Sequence, residues 1–389
     1  VLPIIRRIVT TRQRVLASGL LWLAGVWSLA LLAPHVFPWM TGGDPWPWDV
    51  ARRVTNLTRW DSGWYVNLAE AGYRDPPTRV GEETNHAFFP LYPGLMRLLV
   101  RATGIETSLG GNLVSAAALL LALLLFAEWT RRRFGEERVL PATLALLLFP
   151  TSFFFASVYT EALFLALALA SVLAVESGRP FAGAAAGVLA GLTRITGIVL
   201  APYLALVSWR KSREENLPPA RAAARAALAG GAPLAGFGLF CLYFWRRFGD
   251  PLLFVKAQHN WSGQSKTILE GPALIFGAVA EDVRRGRLLG AAPARTYEGL
   301  YLVLFLVLAA LLLRQKRVAE AVYVAFTVGI VLVSGTLESA GRYVLPAFPA
   351  FAVLAGVDRR PGLARALLAL GAVAGALYVW AFVHGYWAG

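Results

Sequence analysis

Long apolar runs recur along the whole chain, and they decide what it can fold into. A helix needs about 20 apolar residues to cross a bilayer. On that template we read about eleven hydrophobic segments: 15–37, 108–128, 139–157, 160–175, 181–193, 196–208, 223–245, 298–313, 318–335, 343–357 and 363–385. Of the 389 residues 57% are hydrophobic and 15% charged, against about 25% charged in ordinary soluble proteins. The chain is therefore expected to be an all-α polytopic membrane protein. It reads as a single transmembrane domain over 1–389, with two longer extracytoplasmic loops, 38–107 and 246–297, that carry interfacial helices. The first apolar run lacks a small-residue cleavage site and reads as a retained helix. The lone cysteine, Cys241, excludes an internal disulfide and a cysteine-based metal site. The runs 181–193 and 196–208 are parted only by Arg194 and Ile195. They are either short tilted helices or a pair that does not fully cross. Gly183, Gly187 and Gly191 repeat every fourth residue, a spacing that lets helices pack tightly.

The net charge is +14. In a soluble protein that would point to nucleic acid; here it sets topology. With the N-terminus in the cytoplasm, the cytoplasmic segments hold 20 of the 37 Lys and Arg against 8 acids. Arg131–Arg133, Arg138, Arg210–Arg225, Arg314–Arg317 and Arg359–Arg365 carry most of them. The positive-inside bias is satisfied, and no nucleic-acid partner is called for. Working polar residues are then expected at the extracytoplasmic face of a multi-pass membrane protein.

In the first long loop, Val50, Val54, Leu57, Asp61, Trp64, Leu68 and Ala71 fall at alternating spacings of four and three, which predicts one face of a helix. Asp61 interrupts that apolar stripe, and a carboxylate there needs a partner or a task. It also fits a helix N-cap, if the helix breaks at Trp60–Gly63. His86-Ala-Phe-Phe-Pro-Leu-Tyr-Pro93 reads as a rigid aromatic wall leading into a helix, with His86 as a polar contact. Tyr159-Thr160-Glu161 sits at an outer turn, where Glu161 either caps the next helix or serves the site. Arg194 stands between two apolar runs with no acid nearby in sequence, and an arginine at such a place is a candidate for function. Its planar fork matches phosphate. Arg342 in Glu338-Ser-Ala-Gly-Arg-Tyr343 is similar, with Glu338 one turn away. In the second loop, Gly249-Asp250-Pro251 signals a helix entry with Asp250 as cap, followed by the cluster Lys256, Gln258, His259 and Trp261. No metal constellation, glycine-rich phosphate loop or Asp-x-Asp pair stands out. No cofactor is predicted, and a divalent metal stays open.

Arg59-Trp60-Asp61-Ser-Gly-Trp-Tyr65 with Ala71-Gly-Tyr73, Phe88-Phe-Pro-Leu-Tyr-Pro93, Phe149-Pro-Thr-Ser, Tyr159-Thr-Glu161, Thr193-Arg194 and Gly341-Arg342-Tyr343 resemble, in order, the prokaryotic branch of the GPI mannosyltransferase II family, within the GT-C superfamily of polytopic glycosyltransferases. The resemblance implies an active site at the outer membrane face, with Asp61 as the essential acid. It implies a polyprenyl-phosphate sugar donor, mannose being the expected sugar, and inverting transfer to an acceptor hydroxyl on a lipid, glycan or protein. Arg194 and Arg342 are the expected donor-phosphate ligands. Arg59, Trp60, His86, Tyr159, Glu161, Lys256, Gln258, His259 and Tyr343 are further substrate-binding candidates. The rival class is a lipid or solute transporter; the chain lacks the internal repeat such folds often show.

Overall fold

In a computed structural model, residues 2–36, 56–76, 83–262, 294–334, 337, 339–357 and 361–386 are described, with short pieces between 272 and 285. Every described regular element is helical, as the apolar runs predict. Five helices contain stretches long and apolar enough to cross a membrane: Ile8–Val36, Thr107–Phe134, Pro219–Phe248, Tyr297–Arg314 and Ala364–Val383.

Three predicted spans are broken. The run 139–157 stops as an α-helix at Leu147 and resumes as a 3-10 turn at Ser152–Phe155. Pro150 lies in the gap, and proline disfavours helix in the residue before it. The run 343–357 splits into Ala340–Val344 and Pro349–Val357 around Pro346 and Pro349. The 181–193 run forms a helix of only 12 residues, Pro180–Gly191. At 1.5 Å per residue that is about 18 Å, short of the roughly 30 Å hydrocarbon core.

Contacts group the chain into two units. The first comprises 1–44, 123–154 and 266–389. It contains α1 (Leu2–Val36), the second half of α4 (Thr107–Phe134), α5 (Val139–Leu147), α11 (Ala294–Arg314), α12 (Val318–Ser334), α13 (Ala340–Val344), α14 (Pro349–Val357) and α15 (Pro361–Val383). α11 packs on α12 and α13, α14 on α5, and α1 on α15. Leu367, Leu370, Val373 and Leu377 of α15 form an exposed apolar stripe at helical spacing, as expected of a lipid-facing surface.

The second unit comprises 45–122 and 155–265. It contains α2 (Ser62–Ala71), α3 (Leu91–Thr103), the first half of α4, α6 (Glu161–Glu176), α7 (Pro180–Gly191), α8 (Leu200–Glu214), α9 (Pro219–Phe248) and α10 (Leu253–Ser262). The glycine repeat does pack tightly. A side chain at Gly191 would run into the Pro233 carbonyl of α9, and one at Gly236 of α9 into the Val188 carbonyl of α7. With no Cβ at either contact the backbones touch.

The predicted stripe from Val50 to Ala71 is not one helix. Val50 and Val54 lie outside the described residues. Asn56 to Trp60 is irregular, and Trp60 takes the left-handed conformation with φ +56°. That conformation costs a non-glycine residue about 1–2 kcal/mol and ends any helix entering from the N-terminal side. α2 begins only after Asp61.

Candidate active site

Asp61 stands at the N-cap position of α2, half-exposed. Its carbonyl accepts from Trp64 N at 3.1 Å, but its side chain makes no capping hydrogen bond. Helix capping therefore does not occupy the carboxylate. Arg97 of α3 steadies the far end of α2, donating to the Ala69 carbonyl at 2.6 Å and the Leu68 carbonyl at 3.1 Å.

The strand of chain leading to Asp61 lies along the segment that leads into α6. Tyr159, fully buried, donates from its hydroxyl to the Arg59 carbonyl at 3.1 Å, two residues before Asp61. Val158 N donates to the Leu57 carbonyl at 3.5 Å. Behind them Ser115 of α4 donates to the Ser157 carbonyl at 2.7 Å, and its oxygen lies 2.7 Å from the Tyr92 hydroxyl. Tyr65 packs edge-on against Phe88, Tyr92 and Tyr159.

Two residues beyond Tyr159, Glu161 begins α6 and is 1% exposed. Arg194 Nη1 donates to its Oε1 at 2.8 Å. Arg194 is thus not a solitary cation: its partner lies 33 residues away in sequence. Glu161 is the acid in the first turn of α6, and its carboxylate is also one partner of a buried ion pair. Arg194 itself has extended backbone where the chain passes from α7 into the 3-10 turn Ile195–Val199. The adjacent Leu192 carbonyl accepts from Leu91 N at the head of α3. Four of the sequence motifs, around 59–65, 88–93, 159–161 and 192–194, are therefore laced together within one unit.

One carboxyl near Asp61 escaped the sequence reading. Glu83 has its ionisation pushed above the usual carboxylate range, first by partial burial and then by the like charge of Asp61. No spacing rule links residues 61 and 83, so only the fold brings these acids into each other's field. No group of three or more His, Cys, Asp or Glu able to hold a metal occurs among the described residues.

His86, read as a polar contact, makes its described contacts within its own loop. It is fully buried, with Nδ1 2.9 Å from Thr84 Oγ1 and Nε2 3.1 Å from the Arg74 carbonyl. Its ring stacks on Tyr73 and meets Phe244 and Phe248 edge-on. Both nitrogens serve the loop itself. Burial lowers the His86 pKa, against the smaller opposing pull of the Arg74 carbonyl and Asp75. Asn85 beside it, also buried, donates to Asn67 Oδ1 at 3.1 Å and to the Gly72 carbonyl at 2.9 Å.

The second-loop cluster divides. Asp250 accepts from Leu252 N at 3.0 Å, and α10 begins at Leu253, two residues later than the Gly-Asp-Pro signal suggested. Lys256 is exposed and pairs with Asp250 at 2.6 Å; Gln258 is half-buried. The His259 side chain and the side chain of Trp261 lie outside the described residues. α10 buries Leu253 and Phe254 against Phe89, Phe240 and Phe244, so the predicted aromatic wall is packed from behind.

Arg342 and Tyr343 belong to the first unit. Arg342 is buried, with its guanidinium 5.5 Å from the Phe154 ring centre and 5.2 Å from that of half-buried Tyr343. Its neighbour Gly341 is fixed on both sides: its N–H donates to Glu298 of α11 and its carbonyl accepts from Thr151 Oγ1 at 2.9 Å. Glu298, 3% exposed, lies within the electrostatic reach of Arg342. It is 43 residues from Gly341 in sequence, a separation that no local spacing rule reports. Glu338 lies outside the described residues.

Comparison with known proteins meets the stretch that builds the Asp61 cluster. Residues 48–221 match the mannosyltransferase (PIG-V) family. The resemblance read from the motifs thus holds over that stretch. GPI alpha-1,6-mannosyltransferase 2 of Mus musculus is 30% identical over 158 residues, covering 38% of this chain and 31% of that protein. The Cricetulus griseus enzyme of the same name matches to the same extent. The match therefore spans about a third of the length of these mannosyltransferase relatives. Among solved structures, ArnT from Cupriavidus metallidurans bound to undecaprenyl phosphate superposes with TM-score 0.44 and 18% identity, over 90% of this chain and 62% of that one. The Archaeoglobus fulgidus oligosaccharyltransferase gives 0.47 and 13%, over 95% and 53%.

Proposed function

We propose that this chain is a membrane glycosyltransferase of the GT-C type. It moves a sugar, mannose by its family likeness, from a polyprenyl-phosphate donor to an acceptor hydroxyl at the extracytoplasmic face. The observation that carries the reading is Asp61. It heads a helix without capping it, inside the matched stretch, on a loop tied to the same α6 entry that bears the Glu161–Arg194 pair.

Asp61 takes the proton of the acceptor hydroxyl as that oxygen attacks the anomeric carbon. The bond from that carbon to the donor phosphate breaks, with inversion, and polyprenyl phosphate leaves. Its oxygen already carries the phosphate's charge, so the proton-donating carboxylate of a glycosidase is not needed. Arginine stabilises the departing phosphate. Glu161 engages Nη1 of Arg194 and fixes the orientation of its guanidinium, the charge proposed to serve the donor phosphate. Arg342, set among aromatic rings, is the other arginine candidate for the donor phosphate. The donor's lipid tail accounts for the embedding of the enzyme in the bilayer.

The test is Asp61→Asn, assayed in detergent with radiolabelled polyprenyl-phosphate mannose. Asparagine caps a helix as well as aspartate but takes no proton at neutral pH. We expect a folded protein that binds donor and turns over roughly a hundredfold or more slowly. Normal turnover in Asp61→Asn overturns the base. Absence of transfer by the unsubstituted chain, with lipid moved across vesicles instead, overturns the enzyme in favour of a transporter.

A further inference from the structure

A cavity of about 320 Å³ in the first unit is lined by Phe134, Arg138, Leu311, Gln315, Val353 and Gly356, among others. It has no place in the transfer chemistry. Four of its lining residues are close to a helix end: Phe134 closes α4, Arg138 precedes α5, Gln315 follows α11, and Gly356 is one residue from the end of α14. It therefore lies where the apolar helices stop and water begins. Val303, Leu306, Val307 and Leu313 of α11 are exposed, so a lipid-facing surface runs along the helix toward the cavity.

The cavity is set among cations. Arg131 and Arg132 pair with Glu128, and Arg133 pairs with buried Glu320 at 3.5 Å. Arg317 lies over the Phe134 ring at 3.9 Å and donates to the Arg133 carbonyl. Glu136 and Glu137 occupy the short turn before Arg138. Arg138 differs from its neighbours. Its side chain has no hydrogen-bond or ion-pair partner among the described residues, and its guanidinium occupies the space where a side chain at Gly356 would sit. A half-buried guanidinium in a cavity that no acid among the described residues lines is a ready ligand for an oxyanion. Basic pockets between spanning helices at a membrane boundary suit anionic lipid headgroups.

We propose that this cavity binds the phosphodiester headgroup of an anionic membrane phospholipid, with Arg138 as its principal ligand and Gly356 as the gap that admits the guanidinium. On the sidedness proposed from the charge asymmetry of the sequence, the site belongs to the cytoplasmic leaflet. A lipid is favoured over free phosphate because the cavity joins an exposed apolar helix face.

The full-length chain, purified in detergent, is to be titrated with phosphatidylglycerol, with phosphatidylcholine and with inorganic phosphate. Retained ligand is read by native mass spectrometry and stabilisation by thermal unfolding. Phosphatidylglycerol should bind and raise Tm, and the other two should not. Arg138→Gln should weaken phosphatidylglycerol about fivefold or more, on the scale of one lost basic contact. Gly356→Ala keeps every charge but displaces the guanidinium, and should weaken it similarly. It also keeps the proposal testable if Arg138→Gln does not fold. Unchanged phosphatidylglycerol binding in either folded variant overturns the site. Equal binding of phosphatidylcholine overturns the headgroup selectivity, and equal binding of inorganic phosphate overturns the lipid.

Discussion

Arg194 and Arg342 look alike in sequence, each an arginine beside an apolar run, yet the fold treats them differently. Arg194 is held by a carboxylate, Glu161, in a buried pair. Arg342 is framed by the rings of Phe154 and Tyr343, while the charge near it, Glu298, is spent on the Gly341 backbone. A guanidinium paired with a carboxylate contributes little net charge to its surroundings. The two arginines are thus held by different means, one by a carboxylate and the other beside ring faces.

The largest effect should come from breaking the first of these. Arg194→Ala strands Glu161 in a site where it is 1% exposed, and removing one partner of a buried ion pair costs roughly 3–5 kcal/mol. Arg342→Ala loses its cation–π contacts with Phe154 and Tyr343, about 0.5–2 kcal/mol. Thermal unfolding should therefore separate the variants clearly. The double variant Glu161→Gln/Arg194→Gln should recover much of the stability lost in Arg194→Ala without restoring transfer. Equal loss in Arg194→Ala and Arg342→Ala would erase the distinction between the two arginines.

That distinction was not legible in the sequence, although both arginines were. Apolar runs report on burial, so the helices and the polar residues interrupting them could be found. Partners such as Glu161 with Arg194, or Glu298 with Gly341, are separated by 33 and 43 residues and obey no periodicity. The false stripe from Val50 to Ala71 has a local cause: spacing alone cannot register that Trp60 adopts a left-handed turn. The prolines that split 139–157 and 343–357 were visible, but hydrophobicity summed over 20 residues passes over them.

An intermediate effect tests whether Glu298 acts on Arg342 through the backbone. Its carboxylate accepts the Gly341 N–H, and glutamine retains an acceptor oxygen there. Glu298→Gln should keep donor KM within about threefold. Glu298→Ala loses the hydrogen bond and should raise donor KM about tenfold with a smaller change in kcat. If glutamine is as harmful as alanine, the charge of Glu298 matters and the turn is not merely pinned.

The smallest effect, from His86, should appear in one region and not the other. Burial lowers its pKa, so the folded chain favours the neutral ring. The unfolded chain takes up a proton near its ordinary pKa of about 6.5. The unfolded state therefore binds more protons as pH falls through that value, and the stability contributed by His86 is present above about pH 6.5 and lost below it. The loss should fall on the loop that His86 ties together through Thr84, Arg74 and Tyr73. Hydrogen exchange at pH 7.5 and 5.5, corrected for intrinsic rates, should show the described residues between 72 and 88 losing protection at the lower pH. Residues 339–344, where the described anchors are Thr151 and Glu298, should change less. His86→Phe keeps the ring packing and removes the titration, so it should flatten the response of 72–88. Equal loosening of both segments at pH 5.5, or loosening that persists in His86→Phe, would assign the pH effect to some other group.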